Sequence, residues 1–373
     1  MTKILTCNAG SSSLRLGLFE RREGALVRLR DMYVEAAAPG DPAPLTHLLA
    51  DVQGEIAAAA HRIVHGGRRH GACRIDAGVE REIGEHAPLA PLHNPVALRW
   101  LQACRGLLGG EVPQIAVFDT AFYADLPPVA ATYPLPVEVC HEHGLRRYGF
   151  HGIAHGALWR RWRALRPELP QGGKVITLQL GAGCSATAIA HGRPIDTSMG
   201  FTPLEGLMMA TRAGDVDPGL LLHLQRRAGW SAEALEDTLT RRSGLRGVSG
   251  VSGDMRELLR SHDPRAVLAI EMFCYRVRKY IGAYLAALGG VDAVLFGGGI
   301  GQHAPEVRAR ILAGLESLGI EFDPHRNVQA VGAAACISTA DSRIALHVLP
   351  VDEDAVLAEE ADNLMNTGLR TGG

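Results

Sequence analysis

Two glycine-punctuated strand-turn-strand segments stand about half a chain apart, Ile4-Leu5-Thr6-Cys7-Asn8-Ala9-Gly10-Ser11-Ser12-Ser13-Leu14-Arg15-Leu16 and Val175-Ile176-Thr177-Leu178-Gln179-Leu180-Gly181-Ala182-Gly183-Cys184-Ser185-Ala186-Thr187. Each joins one short apolar run to another through small residues, whose uncovered backbone N–H groups suit phosphate oxygens. Taken alone, either turn reads as an ordinary hairpin, because Gly and Ser are common turn formers. Repetition in both halves predicts a duplicated architecture that closes on a phosphorylated ligand.

A chain of 373 residues, 47% of them hydrophobic, can bury a large core and is expected to form two domains. Its net charge of -2 excludes the global basic field that holds nucleic acid or an anionic membrane. The seven cysteines, at 7, 73, 104, 140, 184, 274 and 336, include no C-x-x-C pair. That pattern fits reduced thiols in the cytoplasm better than a disulfide framework or structural zinc. The first residues enter strand-like sequence directly, and no apolar run approaches the roughly 18 residues that cross a bilayer. A soluble protein without membrane partners is expected.

Strand-like and helical runs alternate, the pattern of an α/β protein. Asp263-Pro264 starts a helix whose stripe of Val267, Ile270, Phe273, Val277, Ile281 and Leu285 runs to Gly289. Asn94-Pro95 starts another with Leu98, Leu101 and Leu108, and Pro305 a third with Val307, Ile311 and Leu315. The runs Ile115 to Phe118, Val175 to Leu180, Val291 to Phe296 and Ile344 to Leu349 read as buried strands. Ligands of α/β sheets bind at strand C-terminal ends, where Asp119-Thr120-Ala121-Phe122 and Gly297-Gly298-Gly299-Ile300-Gly301 fall. Gln302 breaks a G-x-G-x-x-G pattern, and no G-x-x-x-x-G-K-[ST] occurs, so the common dinucleotide and P-loop readings fail.

Arg62, His93, His151 and Arg212 all lie among small or apolar neighbours. A buried arginine there needs an anionic partner, either a structural carboxylate or a ligand oxygen. His151 and His155 are four apart but lack the glutamate of H-E-x-x-H, and Cys140-His141-Glu142-His143 reads as a polar surface turn, so neither predicts zinc. Magnesium needs only one or two protein oxygens beside phosphates. Asn8 and an acid within Pro350-Val351-Asp352-Glu353-Asp354 can supply them.

Asn8-Ala9-Gly10-Ser11-Ser12-Ser13, His61-Arg62-Ile63-Val64-His65-Gly66-Gly67, Phe118-Asp119-Thr120-Ala121-Phe122, Tyr148-Gly149-Phe150-His151-Gly152, Asp196 to Gly206 and Gly299-Ile300-Gly301 together resemble the acetate kinase family nearly end to end. The resemblance implies two actin-like, ribonuclease-H-like domains flanking an interdomain nucleotide cleft. Residues 1–123 and 355–373 are expected to form the N-terminal domain, closed by the C-terminal helix, and 124–354 the nucleotide-binding domain. It further implies a homodimer and reversible phosphoryl transfer from ATP to acetate, giving acetyl phosphate and ADP, with Mg2+ or Mn2+. Propionate or butyrate kinase is the near alternative, pyrophosphate as donor a remoter one, and a non-catalytic actin-like nucleotide-binding regulator the alternative of another class.

By the same resemblance Asn8 and Glu353 are metal-site residues, Arg62 binds the carboxylate, Asp119 is the active-site acid, and His151 and Arg212 stabilise the transferring phosphoryl group. Val64, Leu92, Phe150 and Pro203 match the acyl pocket beside His93. Arg15, the loop Gln179-Leu180-Gly181-Ala182-Gly183, the loop Asp254-Met255-Arg256 and the glycine turn Gly299-Ile300-Gly301-Gln302-His303 match nucleotide contacts. Five positions depart from the family: Arg15 stands for lysine, Gln179 and Ala182 for histidine and asparagine, Tyr123 for histidine, and Gln302 for glutamate.

Overall fold

The computed structural model describes residues 2–10, 13–52 and 55–370. Ser11 and Ser12 of the first turn, and residues 371–373 of the expected N-terminal domain, lie outside the described residues. Two compact units emerge: Met1–Asp125 with Phe150–Ile153 and Asp352–Gly373, and Leu126–Gly149 with Ala154–Val351.

The first unit is built on strands β1 (Lys3–Ala9), β2 (Ser13–Arg22), β3 (Ala25–Glu35), β4 (Ile56–Ile63), β5 (Cys73–Arg74) and β6 (Gln114–Phe118). They lie in the order β3-β2-β1-β4-β6-β5. Here β1, β4 and β6 run parallel, while the neighbouring pairs involving β2, β3 and β5 are antiparallel. The second unit carries β7 (Lys174–Leu180), β8 (Cys184–Ala190), β9 (Arg193–Thr197), β10 (Ala293–Gly297), β11 (Ala335–Cys336) and β12 (Ala345–Val348), ordered β11-β12-β10-β7-β8-β9. Here β7, β10 and β12 run parallel, and β8, β9 and β11 are antiparallel to their neighbours. Read from the opposite edge, the second sheet repeats the first position by position, so the duplication expected from the two hairpins is present. Every residue of β1, β6 and β10 is buried, which explains their continuous apolar character.

The helices expected from Pro95, Pro264 and Pro305 begin at these prolines or one residue before. Asp263 accepts the Arg265 N–H at the start of Pro264–Leu288, and Gly289 ends it at φ +64°. Its buried stripe is Ala266, Ile270, Phe273, Val277, Ile281, Tyr284 and Leu288, whereas Val267, expected inside, is exposed. A period of 3.6 over 25 residues carries the buried face off any fixed series of three- and four-residue steps. Helix Pro305–Leu312 stops before Leu315, with Gly314 at φ +83°. Cys140, His141 and Glu142, expected in a turn, form the second half of the short helix Val137–Glu142, with His143 as its C-cap. The glycine cluster after β10 also differs from a turn, because Gly298–His303 is helical.

In the first unit, residues alternate between the two faces of β1. Leu5, Cys7 and Ala9 share an apolar cluster with Trp100 and Cys104 of helix Asn94–Leu108. Asn8, on the other face, reaches Glu353 at the start of helix Glu353–Arg370.

Candidate active site

At the ends of the parallel strands of the first unit, four polar residues converge. Asn8 lies in β1, Arg62 in β4, Asp119 directly after β6, and Glu353 begins the helix Glu353–Arg370. Arg62 Nη2 donates to Asp119 Oδ2 at 2.7 Å, its Nε lies 3.2 and 3.3 Å from the two Asp119 oxygens, and its Nη1 donates to Asn8 Oδ1 at 3.3 Å. Asn8 Nδ2 donates in turn to Glu353 Oε2 at 3.0 Å, and Arg62 Nη1 stands 3.7 Å from the same oxygen. Burial alone would lower the Arg62 pKa, but the charges of Asp119 and Glu353 outweigh it and hold the guanidinium protonated. Burial pushes the fully buried Asp119 carboxyl above its ordinary value, against the pull of Arg62 and of the His151 backbone N–H.

Local backbone features aim this cluster. His151 sits at φ +58°, a strained conformation for a side-chain-bearing residue. The next residue donates its N–H to Asp119 O at 3.0 Å, and a Cβ on Gly152 would stand 2.2 Å from that oxygen. Only glycine permits this approach. Tyr123 Oη donates to Phe150 O at 3.1 Å, which anchors the same segment from the other side. In the His65-Gly66-Gly67 turn, a Cβ on Gly66 would fall 2.2 Å from the Phe118 ring, and Gly66 N–H donates to Thr120 Oγ1.

Asn94 braces that turn and escaped the sequence reading. Its Oδ1 accepts the His65 N–H, and its Nδ2 donates to His65 O and Ile83 O. Its only sequence signal was its place before Pro95 at a helix start. The bracing joins the segment carrying Val64 to the one carrying Leu92 and His93. Val64 and Phe150 are buried, while Leu92 and His93 are partly so. Pro203 belongs to the second unit.

In the second unit, a pocket of about 510 Å³ is lined by Gly181, Ala182, Asp254, Met255, Arg256, Gly299, Ile300 and His303, together with Gly253, Leu259 and Ala304. Three segments singled out separately in the sequence therefore meet around one cavity. Leu180, Gly183, Gly301 and Gln302 are not among its lining residues, and neither is Gln179, whose buried Oε1 has no hydrogen-bond partner among the described residues. Arg15 belongs to the first unit, where its guanidinium stacks 5.5 Å over the Tyr33 ring.

The hairpin turns differ from the expectation of bare donors. The Gly181 N–H is spent inside its turn on Gly183 O at 3.1 Å, and Gly10 N–H likewise on Ser13 O at 2.8 Å. Asp254 is a helix cap, accepting the Arg256 N–H at the start of Met255–Arg260, so the expected adenosine-side loop is the first turn of a helix. Gly298 has φ +74°, and a Cβ there would lie 2.4 Å from Leu180 O, so β10 ends hard against β7.

Arg308 fastens the following short helix from below and was also missed. It is fully buried and donates to the carbonyls of Gly301, Gln302, Asn327 and Ala330 and to Asn327 Oδ1. Burial lowers it to about 10. Arg212 Nη1 donates to Pro203 O at 2.7 Å, and its charge reaches Cys184 beside the Gly181 turn. The Pro203 segment is braced by Tyr133, whose Oη donates to Glu205 and accepts the Phe201 N–H, and by Arg147 on Glu205 at 2.7 Å.

Comparison with known proteins accords with this geometry. Residues 44–359 match the profile of the acetokinase family. Acetate kinase from Solibacter usitatus is 48% identical over 312 residues, covering 82% of this chain and 75% of that protein. Acetate kinase from Streptomyces avermitilis is 40% identical and covers 98% of both chains. The crystal structure of Porphyromonas gingivalis acetate kinase superposes with a TM-score of 0.87 at 36% identity, covering 98% of this chain and 100% of that one. A propionate kinase from Francisella tularensis gives 0.88 at 33% identity, covering 96% and 99%. With a duplicated α/β fold and agreement over most of its length, the chain belongs to the acetokinase family.

Proposed function

We propose that this protein is an acetate kinase, transferring the terminal phosphoryl group of ATP directly and reversibly to acetate. The observation that carries the reading is the buried Asn8–Arg62–Asp119–Glu353 network at the strand ends of the first unit. A guanidinium held by one carboxylate is pre-oriented for a second, since its planar fork matches carboxylate geometry. Acetate is already ionised at neutral pH, so one of its oxygens attacks the γ-phosphorus without loss of a proton. The new P–O bond forms as the bond to the ADP oxygen breaks, and ADP leaves with that electron pair. Charge then lies on three equatorial oxygens, where Arg212 and His151 stabilise it, and Val64, Leu92, Phe150 and Pro203 exclude water around the methyl group beside His93.

The polar network also suits magnesium. Asn8 and Glu353 offer hard oxygen ligands, and the buried Asp354 Oδ1 has no hydrogen-bond partner among the described residues. When bound, Mg2+ or Mn2+ supplies charge neutralisation for the nucleotide phosphates. The pocket of the second unit is of the size that takes a small cofactor and is our assignment for the nucleotide. The seven cysteines form no disulfide, and no described helix is long and apolar enough to cross a membrane; both support our reading of a cytoplasmic enzyme, which we take to be a homodimer.

A second reading, propionate kinase, draws on the Francisella tularensis structure. One methylene shifts selectivity by only about 1–3 kcal/mol, so pocket size decides between the acids. The test is a hydroxamate assay with acetate, propionate and butyrate, each with ATP or pyrophosphate. Fastest turnover with acetate and ATP is expected. ATP binding without turnover of any acid would replace the proposal with a nucleotide-binding regulator.

A further inference from the structure

We propose that Cys7, His61 and Cys104 form a binding site for a thiophilic divalent cation of the zinc class, on the face of the first sheet turned away from Asn8 and Arg62. The two Sγ atoms and a ring nitrogen of His61 all lie within 4.8 Å of one another, and the residues are 2%, 0% and 1% exposed for Cys7, Cys104 and His61. Cys7 and His61 are direct partners in the β1–β4 register, and Cys104 comes from helix Asn94–Leu108 above them. Because strand side chains alternate, Cys7 and His61 point away from the face that bears their neighbours Asn8 and Arg62.

The hydrogen bonds set the imidazole as a ligand. Gln114 Nε2 donates to Val112 O at 3.0 Å, so its Oε1 is the atom 2.8 Å from His61 Nε2. That nitrogen must therefore carry the proton, which leaves Nδ1 as a bare lone pair. Buried Nδ1 has no hydrogen-bond partner among the described residues. A carbonyl that fixes the distal N–H is the usual support of a metal-binding histidine. Burial lowers the imidazole to about 4, with Arg105 adding to the effect, so the ring stays neutral as a ligand must.

Charge and softness choose the ion. Two thiolates, a neutral imidazole and a divalent cation sum to zero, the arrangement that an apolar layer of Leu5, Leu14, Leu16 and Trp100 tolerates. A monovalent ion would leave a buried negative charge, and hard cations prefer oxygen. With Zn–S near 2.3 Å and Zn–N near 2.0 Å, ligand atoms around one ion stand about 3.5–3.8 Å apart, so a closure on the order of 1 Å from the 4.8 Å limit brings these three ligands to bonding distance of one ion.

The test uses the full chain, stripped with a chelator and titrated with Zn2+, or with Co2+ as a spectroscopic probe. We expect one ion per chain, a thiolate-to-cobalt charge-transfer band, and a rise in melting temperature with zinc. Cys7→Ala and Cys104→Ala should each abolish all three, while Cys140→Ala and Cys336→Ala should change none. Uptake that survives in a natively folded Cys7→Ala or Cys104→Ala chain overturns the proposal, as does absence of uptake by the parent. Should those variants fail to fold, the parent alone decides: alkylating its accessible thiols leaves uptake intact if the site is the buried one and removes it if it is not.

Discussion

The two sheets share one strand order and use it for opposite chemistry. At the ends of β1, β4 and β6 the first unit presents side chains: Asn8, Arg62 and Asp119. At the corresponding ends of β7 and β10 the second unit presents nearly bare backbone, Gly181-Ala182 and Gly298-Gly299. A frame that gathers strand ends dictates where chemistry happens but not which kind. The side chains of one copy suit a small anion, and the glycines of the other clear room for a larger ligand.

Breaking the charged copy should have the largest effect. Arg62→Met leaves Asp119 buried without its counter-charge, a loss of about 3–5 kcal/mol by urea unfolding, and should reduce kcat/KM by more than about 10³-fold. Adding Asp119→Asn should recover stability but not turnover, and a single variant as stable as the parent would dissolve the contrast between the units. Arg212→Ala should lower kcat by about 10²–10³-fold while the acetate KM moves less than about threefold, because its contact strengthens mainly in the transition state. An acetate-affinity defect alone would contradict the role.

The backbone copy is tested by Gly298→Ala. The left-handed φ and the clash with Leu180 O should cost up to about 3 kcal/mol and raise the KM for ATP about tenfold, with that for acetate little changed. Acidification should strike both units alike. Burial holds His61 at about 4 in the first and His155 at about 3 in the second. Both values lie below the unfolded value, so the stability they contribute is complete above about pH 6.5 and declines as pH falls toward the folded pKa. Between pH 7 and 5 each should contribute a loss of about 2 kcal/mol, and His155→Gln should halve the slope of urea-unfolding free energy against pH. The smallest effect belongs to Arg256→Ala, whose side chain is 84% exposed, and should alter the KM for ATP less than about threefold.

The duplicated hairpins, the cap of Pro264–Leu288 and the core strands were legible because hydrophobic period and cap chemistry are local. The resemblance singled out residues that the structure gathers at Asp119 and around the pocket, each group within its own unit. What stayed hidden acts across the chain. Asn94 and Arg308 do their work through carbonyls 11 to 29 and 6 to 22 positions away, which no spacing rule encodes. The Cys7–His61–Cys104 cluster was missed for the same reason, since its members come from three elements. The glycine cluster after β10 misled because Gly signals turns, although the contact with β7 here sets Gly298–His303 as helix.

The helix Glu353–Arg370 belongs to the first unit although the whole second unit precedes it in the chain. During synthesis the ribosome therefore delivers every strand of the first sheet early but withholds its last layer until the second is complete. The usual N-to-C order of maturation is inverted. Asn8, Arg62 and Asp119 wait for Glu353, and a chain that ends before residue 353 carries every strand of both sheets while the first unit still lacks one wall.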